Sequence, residues 1–221
     1  RLVGRLALTK EGLCAFEYAP DWLGSGFSIS PFELPLRSGV FIAKPRPFEG
    51  GFGVFDDCLP DGWGLLILDR YLQQKGINPR ALTLLDRLAL VGSSGRGALE
   101  FRPDHSVVTR QDYADFEKLA LEAERILDSD EYKGEGIEEF QDRGGSPGGA
   151  RPKIFARYEG KEWLVKFRAK RDPQSIGVDE YRYSLLAKEC GIEMPETRLF
   201  RRQVLRRGAF RPNAARQVAC C

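Results

Sequence analysis

The sequence predicts an α+β protein in two parts, a mixed N-terminal subdomain of hairpins and helices followed by an antiparallel sheet with one helix. Three observations carry this. Short apolar runs of β-like composition open the chain, punctuated by Gly12, Pro20, Gly24 and Gly26. From Asp61 the apolar residues recur at helical spacing. After an acidic, apolar-poor stretch from Asp128 to Arg143 and a cluster of glycines, paired strand-like runs return.

In chain order, Arg5 to Leu8 and Leu13 to Tyr18 read as hairpin strands. "DGWGLLILDRYLQQKG" has Asp61 and Gly62 at its start, apolar Leu65, Leu66, Leu68 and Leu72, and Gly76 as a stop, so it reads as an amphipathic helix. "NPRALTLLDRLALVG" is a second helix, and "SSGRGALEFRP" is a glycine-rich turn into a strand. Arg110 to Leu127 reads as a further helix, and Asp128 to Arg143 as a linker. "PKIFARYEG" and "KEWLVKF" then form an antiparallel hairpin across a Tyr158-Glu159-Gly160-Lys161 turn. A helix from about Val178 to Cys190 stops at Gly191, with Tyr181, Leu185 and Leu186 as its core face; Pro195 precedes a strand beginning "ETRLF". The boundaries that follow are 1–109 for the N-terminal subdomain, 110–143 for helix and linker, 144–200 for the second block and 201–221 for an irregular basic tail.

At 221 residues, 42% hydrophobic, the chain is long enough for one large domain or two small ones with real cores, and is expected to be a folded soluble protein. A net charge of +2 names no charged partner. The five cysteines, at 14, 58, 190, 220 and 221, have no metal-ligand spacing, and their odd number argues against a disulfide framework. A reducing cytoplasm is the default compartment. No apolar run approaches the roughly 20 residues that span a bilayer, so no membrane is implied. The chain opens on Arg1 instead of Met, which suggests a processed or incomplete N-terminus. His105, the single histidine, sits in a polar turn, "RPDHSVVT", which argues against a histidine-based catalytic triad or metal site.

The residues with chemistry to offer cluster after Asp142. "DRGGSPGGARPK" is either a plain flexible turn or a phosphate-holding loop. In the second case the backbone amides of Gly148 and Gly149 converge on phosphate oxygens, because no side chain blocks the approach. The string has neither P-loop order nor GxGxxG spacing. Lys166, flanked by Trp163, Leu164, Val165 and Phe167, is a charge inside an apolar strand and calls for a partner. Glu180, on the following helix, is the first well-placed carboxylate; Ser184 and Ala187, four and seven residues on, leave a strip of small residues beside it. Either residue taken singly reads as a solvated surface position. Glycine loop, lysine-bearing hairpin and glutamate-bearing helix in this order are the small lobe of a kinase-like fold. Lys153, at the start of the first strand, suits a phosphate contact or a solvated position equally well. Ser146, at the crest of the loop, is a turn residue, a phosphate ligand or a phosphoryl acceptor.

The strings "GSPGGARPKI", "WLVKF" and "DEYRYSLLAKECGIEMPETRLF" resemble the HipA family of bacterial toxin-type serine/threonine kinases. "FEYAPDWL", "ISPFELPLRSG", "FGVFDDCLPDGWGLLILDR" and "LLDRLALVGSSGRGALEFRP" are similar to that family's N-terminal subdomain, so the resemblance runs over nearly all of residues 1 to 200. It implies that Lys166 meets nucleotide phosphates with Glu180 as its helix partner, and that Ser146 matches a loop serine whose autophosphorylation switches the kinase off; Gly148, Gly149 and Lys153 are assigned to the same nucleotide site from the reading of the residues above. It also implies ATP and Mg²⁺ as cofactors, a helix-turn-helix antitoxin of the HipB kind that carries the complex to operator DNA, and a cytosolic protein substrate such as an aminoacyl-tRNA synthetase. The large lobe of such a kinase, with its catalytic-loop aspartate, asparagine and metal-binding aspartate, has no counterpart before the sequence ends, so no catalytic residue and no metal ligand is assigned.

The arginine-rich ending, "RRQVLRRGAFRPNAARQVACC", shows neither strand nor helix period. One reading is a basic tail for RNA or DNA. Another follows from the genetic code: synonymous codons for Arg202 to Cys221, displaced by one nucleotide, permit a string that resembles the family's continuation after "PETRLF". On that reading, residues from about Arg201 onward are out of frame and the chain is a truncated kinase relative. The rival from another class is a stand-alone module that binds a kinase or antitoxin partner.

Overall fold

The computed structural model describes residues 1–95, 97–106, 115–129, 134, 136–144, 149–169, 171–200, 203–207 and 216–220. The chain divides into two compact units, neither of them contiguous in sequence. The first comprises Arg1–Pro60, Asn78–Val107 and Arg211–Cys221; the second comprises Asp61–Ile77 and Val108–Phe210.

The first unit is built on a five-stranded sheet. Strands β1 (Leu2–Leu8) and β2 (Cys14–Tyr18) form the expected hairpin, and β3 (Val40–Ile42) pairs antiparallel with β2. Gly4 on β1 has no room for a Cβ, which would lie 2.5 Å from the Phe16 ring. The aromatic side chain thus packs directly on backbone, with its ring 4.8 Å from that of Tyr18. The Tyr18 hydroxyl donates to the Leu34 carbonyl at 2.5 Å and accepts from the Ile29 amide at 3.1 Å, which holds the Phe27–Leu34 loop against the buried sheet. Short helices α1 (Pro20–Leu23) and α2 (Gly53–Asp56) bring Trp22 and Phe55 into the same core.

Between the two helices read from the sequence after Asp61, the first, α3 (Gly62–Gln74), belongs to the second unit and is taken up below. The other is divided into a 3-10 turn, Pro79–Ala81, and α4 (Leu84–Val91), which begins with a reciprocal cap: the Thr83 hydroxyl accepts from the Asp86 amide and the Asp86 carboxylate from the Thr83 amide. Strand β4 (Leu99–Arg102) follows.

In the second unit, α3 buries Trp63, Ile67, Leu68 and Leu72, whereas Leu65 and Leu66 are only partly covered. Helix α5 (Phe116–Asp128) starts later than the sequence suggests; 110–114 lies outside the described residues. The stretch read as a linker contains a helix, α6 (Gly136–Gly144). Ile137 and Phe140 stand one turn apart on it and are both buried, so two well-spaced apolar residues suffice to anchor a segment otherwise rich in charge.

Strands β5 (Lys153–Tyr158) and β6 (Lys161–Lys166) pair antiparallel, with Glu159 and Gly160 both at positive φ, the two-residue turn that fits the twist of a tight hairpin. Their inward side chains, Ile154, Ala156, Trp163 and Val165, meet Phe116, Leu119, Ala123 and Ile126 of α5 in one core. Helix α7 (Ile176–Glu189) ends at Cys190 with Gly191 at φ 78°, and β7 (Thr197–Phe200) follows. Of the core face expected for α7, Tyr181 is partly buried but the two leucines are not. Ser184 and Gly177 are buried, while Leu185 and Leu186 are exposed, because the strip of small residues is what lets the helix approach the sheet closely.

The ending, expected to be irregular, contributes two strands. β8 (Gln203–Arg207) lies between β6 and β7, giving the order β5-β6-β8-β7, all antiparallel. β9 (Arg216–Cys220) lies parallel between β1 and β4 in the first unit. In both places an open strand edge supplies hydrogen-bond partners that a weakly patterned segment accepts, a non-local effect with no periodic signature in the segment itself. No helix among the described residues is long and apolar enough to cross a membrane.

Asp104 closes the first unit beyond α4. It accepts from the amides of Ser93 and Ser106 and from the Ser106 hydroxyl. Gly92 turns the chain at φ 48°, and a Cβ there would fall on the Asp104 carboxylate. Burial pushes the Asp104 carboxyl up, but hydrogen bonds from the side chains and amides of Ser106 and Ser93 together outweigh it and hold the group down at about 2. A depressed folded value means stability that is complete above the ordinary carboxylate range and is lost as pH falls through about 2. Thermal melts are expected to show Asp104→Ala lowering stability at pH 7 by about 1–3 kcal/mol, with the difference from wild type shrinking as pH falls from about 4 toward 2.

Candidate functional site

The candidate site lies in the second unit, where the first rung of the β5–β6 hairpin faces α7. The hairpin register sets Lys153 directly across from Lys166. Both lysines line a cleft of about 460 Å³ with Ala150, Arg151, Phe167 and Arg168 on the strand side and Ile176, Gly177, Asp179, Glu180 and Tyr183 on α7. Gly177 and the buried Ser184 bring the helix close, and Glu180, one turn from each, then reaches the rung.

Lys166 is bonded to Glu180 through Nζ and Oε1, with roughly two thirds or more of each side chain covered. The sequence expectation that this lysine meets a carboxylate on the next helix therefore holds in the geometry. For Lys153, burial pushes the ammonium below its ordinary range, and repulsion from Lys166 adds to this; Asp61 and Glu180 pull the other way. Like charges directly opposite one another on paired strands repel, so the rung concentrates positive charge in a partly dry cleft.

Around the rung the chain is tied by ion pairs. Arg151 meets Asp172 at 2.9 Å, and Asp172 also accepts from the Ala169 amide at 3.1 Å. Arg168 meets Glu124 of α5 at 2.8 Å and donates to the Asp172 carbonyl at 3.1 Å. These contacts hold Arg168 and Asp172 in one wall of the cleft.

Of the loop residues expected at the site, Ser146 and Gly148 lie outside the described residues. Gly149, next to the lining residue Ala150, is at φ 94°, and a Cβ on it would come within 2.9 Å of Lys153 Nζ. Its amide, read from sequence as facing phosphate, donates to Asp61 Oδ1 at 2.6 Å. Sequence reasoning missed Asp61 in this place, since an Asp before the first turn of a helix reads as a cap for that helix. Arg151, Arg168 and Asp172 were missed as well, because isolated charges in "ARPK" and "RAKRD" carry no spacing signal.

Fold and site together define an α+β protein with a two-lysine rung and a helix carboxylate at the mouth of an antiparallel hairpin. Comparison with known proteins narrows this. Residues 1–102 match the model of the HipA N-terminal domain, and residues 145–210 match that of the HipA-like C-terminal domain. Two models of one family, matched in succession, account for most of the chain, and the chain belongs to the HipA family. The second match includes β8.

Among solved structures it is similar to HipA in the complex of the Shewanella oneidensis MR-1 toxin–antitoxin system HipA, HipB and its operator DNA, with a TM-score of 0.58 and 21% sequence identity. The likeness covers 94% of this chain and 48% of that one, so the chain spans about half the length of its structural neighbour. At this identity the likeness establishes the α+β fold.

The charge arrangement has a measurable consequence. ¹³C-labelled lysine titrations are expected to place the Lys153 ammonium below the ordinary lysine range. Lys166→Met removes a repelling charge and moves it up, whereas Glu180→Gln removes an attracting one and moves it further down.

Proposed function

We propose that this chain is the nucleotide-binding half of a HipA-like serine/threonine kinase from a toxin–antitoxin pair. The observation that carries the reading is the Lys153–Lys166 rung closed by Glu180 within a cleft. Two ammonium groups at one rung, one of them partly buried, gain most from an anion with several oxygens, and a nucleotide's phosphate chain is such an anion. Lys166 then serves as the phosphate contact and Glu180 as the group that aims it, the pairing on which kinase small lobes rely.

Among the described residues no three His, Cys, Asp or Glu side chains gather as metal ligands do. What these residues fit is the phosphates of ATP, not Mg²⁺. When bound, ATP would supply the phosphoryl group; this chain's own residues hold and orient it. The base and the metal ligands of the family kinases are proposed to lie in a large lobe outside this sequence, so phosphoryl transfer by this chain alone is not expected.

A HipB-like antitoxin is the proposed partner, in keeping with the complex of the structural neighbour, and operator DNA is reached through that partner. A cytosolic protein substrate, such as an aminoacyl-tRNA synthetase, and Ser146 as an autophosphorylation site belong to the same proposal. The match of residues 1–102 to a HipA N-terminal domain favours a second reading, an interaction module whose first unit binds a kinase or antitoxin while the second is passive.

Titration with a fluorescent ATP analogue separates the two. The nucleotide-site reading expects saturable binding that Lys166→Met weakens by at least about tenfold. Binding that is absent, or indifferent to Lys166→Met and Glu180→Gln alike, leaves the interaction module. Label from Mg-ATP on Ser146 in this chain alone would overturn the expectation that it does not transfer phosphate.

A further inference from the structure

We propose that Asp61 is a positioning residue for the glycine loop, fastening the loop's downstream end at Gly149 to the start of α3 and so setting where Lys153 enters the cleft. The proposal deepens the nucleotide-site reading and rests on it. Asp61 occupies the N-cap of α3 with extended backbone, φ −118° and ψ 169°, yet its side chain makes no bond to its own helix. An N-cap aspartate ordinarily accepts from one of the first helical amides, which have no partner inside the helix. Here the carboxylate is turned to a different donor, the amide of Gly149, 88 residues along the chain.

The exchange is reciprocal. The Trp63 amide, one of the helix's partnerless donors, is taken by the Gly149 carbonyl at 3.1 Å. Loop end and helix start therefore cap each other through two hydrogen bonds. Gly62 lies between them at φ 43°, and a Cβ there would come 2.7 Å from the Gly149 carbonyl carbon, so the approach admits only glycine. Four residues beyond the fastening point, β5 begins with Lys153, whose ammonium feels the Asp61 charge directly. Releasing Asp61 would free the loop end, uncap α3 and remove a counter-charge from the rung in one step. A cap that served only helix stability would do the second of these and neither of the others.

Three proteins decide it: wild type, Asp61→Ala, and Asp61→Asn, which keeps an acceptor oxygen. Amide exchange by NMR and titration with ATP are measured on each. The expected result for Asp61→Ala is exchange at Gly149 about tenfold faster, with Leu119 and Ala123 in α5 unchanged, and ATP binding about tenfold weaker; Asp61→Asn restores most of both. Unchanged exchange at Gly149 in Asp61→Ala overturns the fastening. Faster exchange with unchanged or tighter ATP binding overturns the positioning role, and in the tighter case makes Asp61 a competitor for the phosphate. Should wild type and both variants fail to bind ATP, the nucleotide-site reading falls, while exchange at Gly149 still decides whether Asp61 fastens the loop.

Discussion

The interaction on which the second unit turns is the electrostatic balance at one rung of a hairpin. Lys153 and Lys166 face each other across paired strands, an arrangement that costs free energy unless negative charge is brought to it. Glu180 answers from α7 and Asp61 from the start of α3, so two helices distant in sequence are drawn to the same end of the sheet. The tight turn at Glu159 and Gly160 fixes the register that makes the rung, and the small residues of α7 let its carboxylate come within reach. Turn, register, helix approach and charge are thus consequences of one another.

What could be read from the sequence divides along the range of the forces involved. The β5–β6 hairpin was legible because its turn residues and alternation are local, and the Lys166–Glu180 pair because an unaccompanied charge in an apolar strand demands an answer nearby. The helix α6 was hidden because Ile137 and Phe140 are too few to raise a period above the surrounding charges, although burial of both is enough to hold the segment. On α7 the larger side chains were assigned inward by hydrophobicity alone, but close approach to a sheet selects small ones: Ser184 is buried and Leu186 is half exposed. The pairing of β8 and β9 depends on open edges elsewhere in the chain, and nothing within "QVLRR" or "RQVAC" announces it.

Asp61 shows the limit of motif reading in its clearest form. Its position, extended backbone and following helix all say cap, and each of these is correct as local structure. Its acceptor oxygen nevertheless serves Gly149, far along the chain. Capping rules describe which groups need a partner; the partner itself is a property of the tertiary fold.

The partition of the chain carries a further consequence for how the molecule can be divided. Residues 61–77 leave the first unit's run of sequence, complete the core of the second with Trp63 and Ile67, and hand the chain back at Asn78. No single cut therefore yields two self-sufficient pieces, since a break between the two family-model matches, 1–102 and 145–210, strips the second unit of α3. A fragment cut at such a break would carry a hairpin whose core lacks one of its walls.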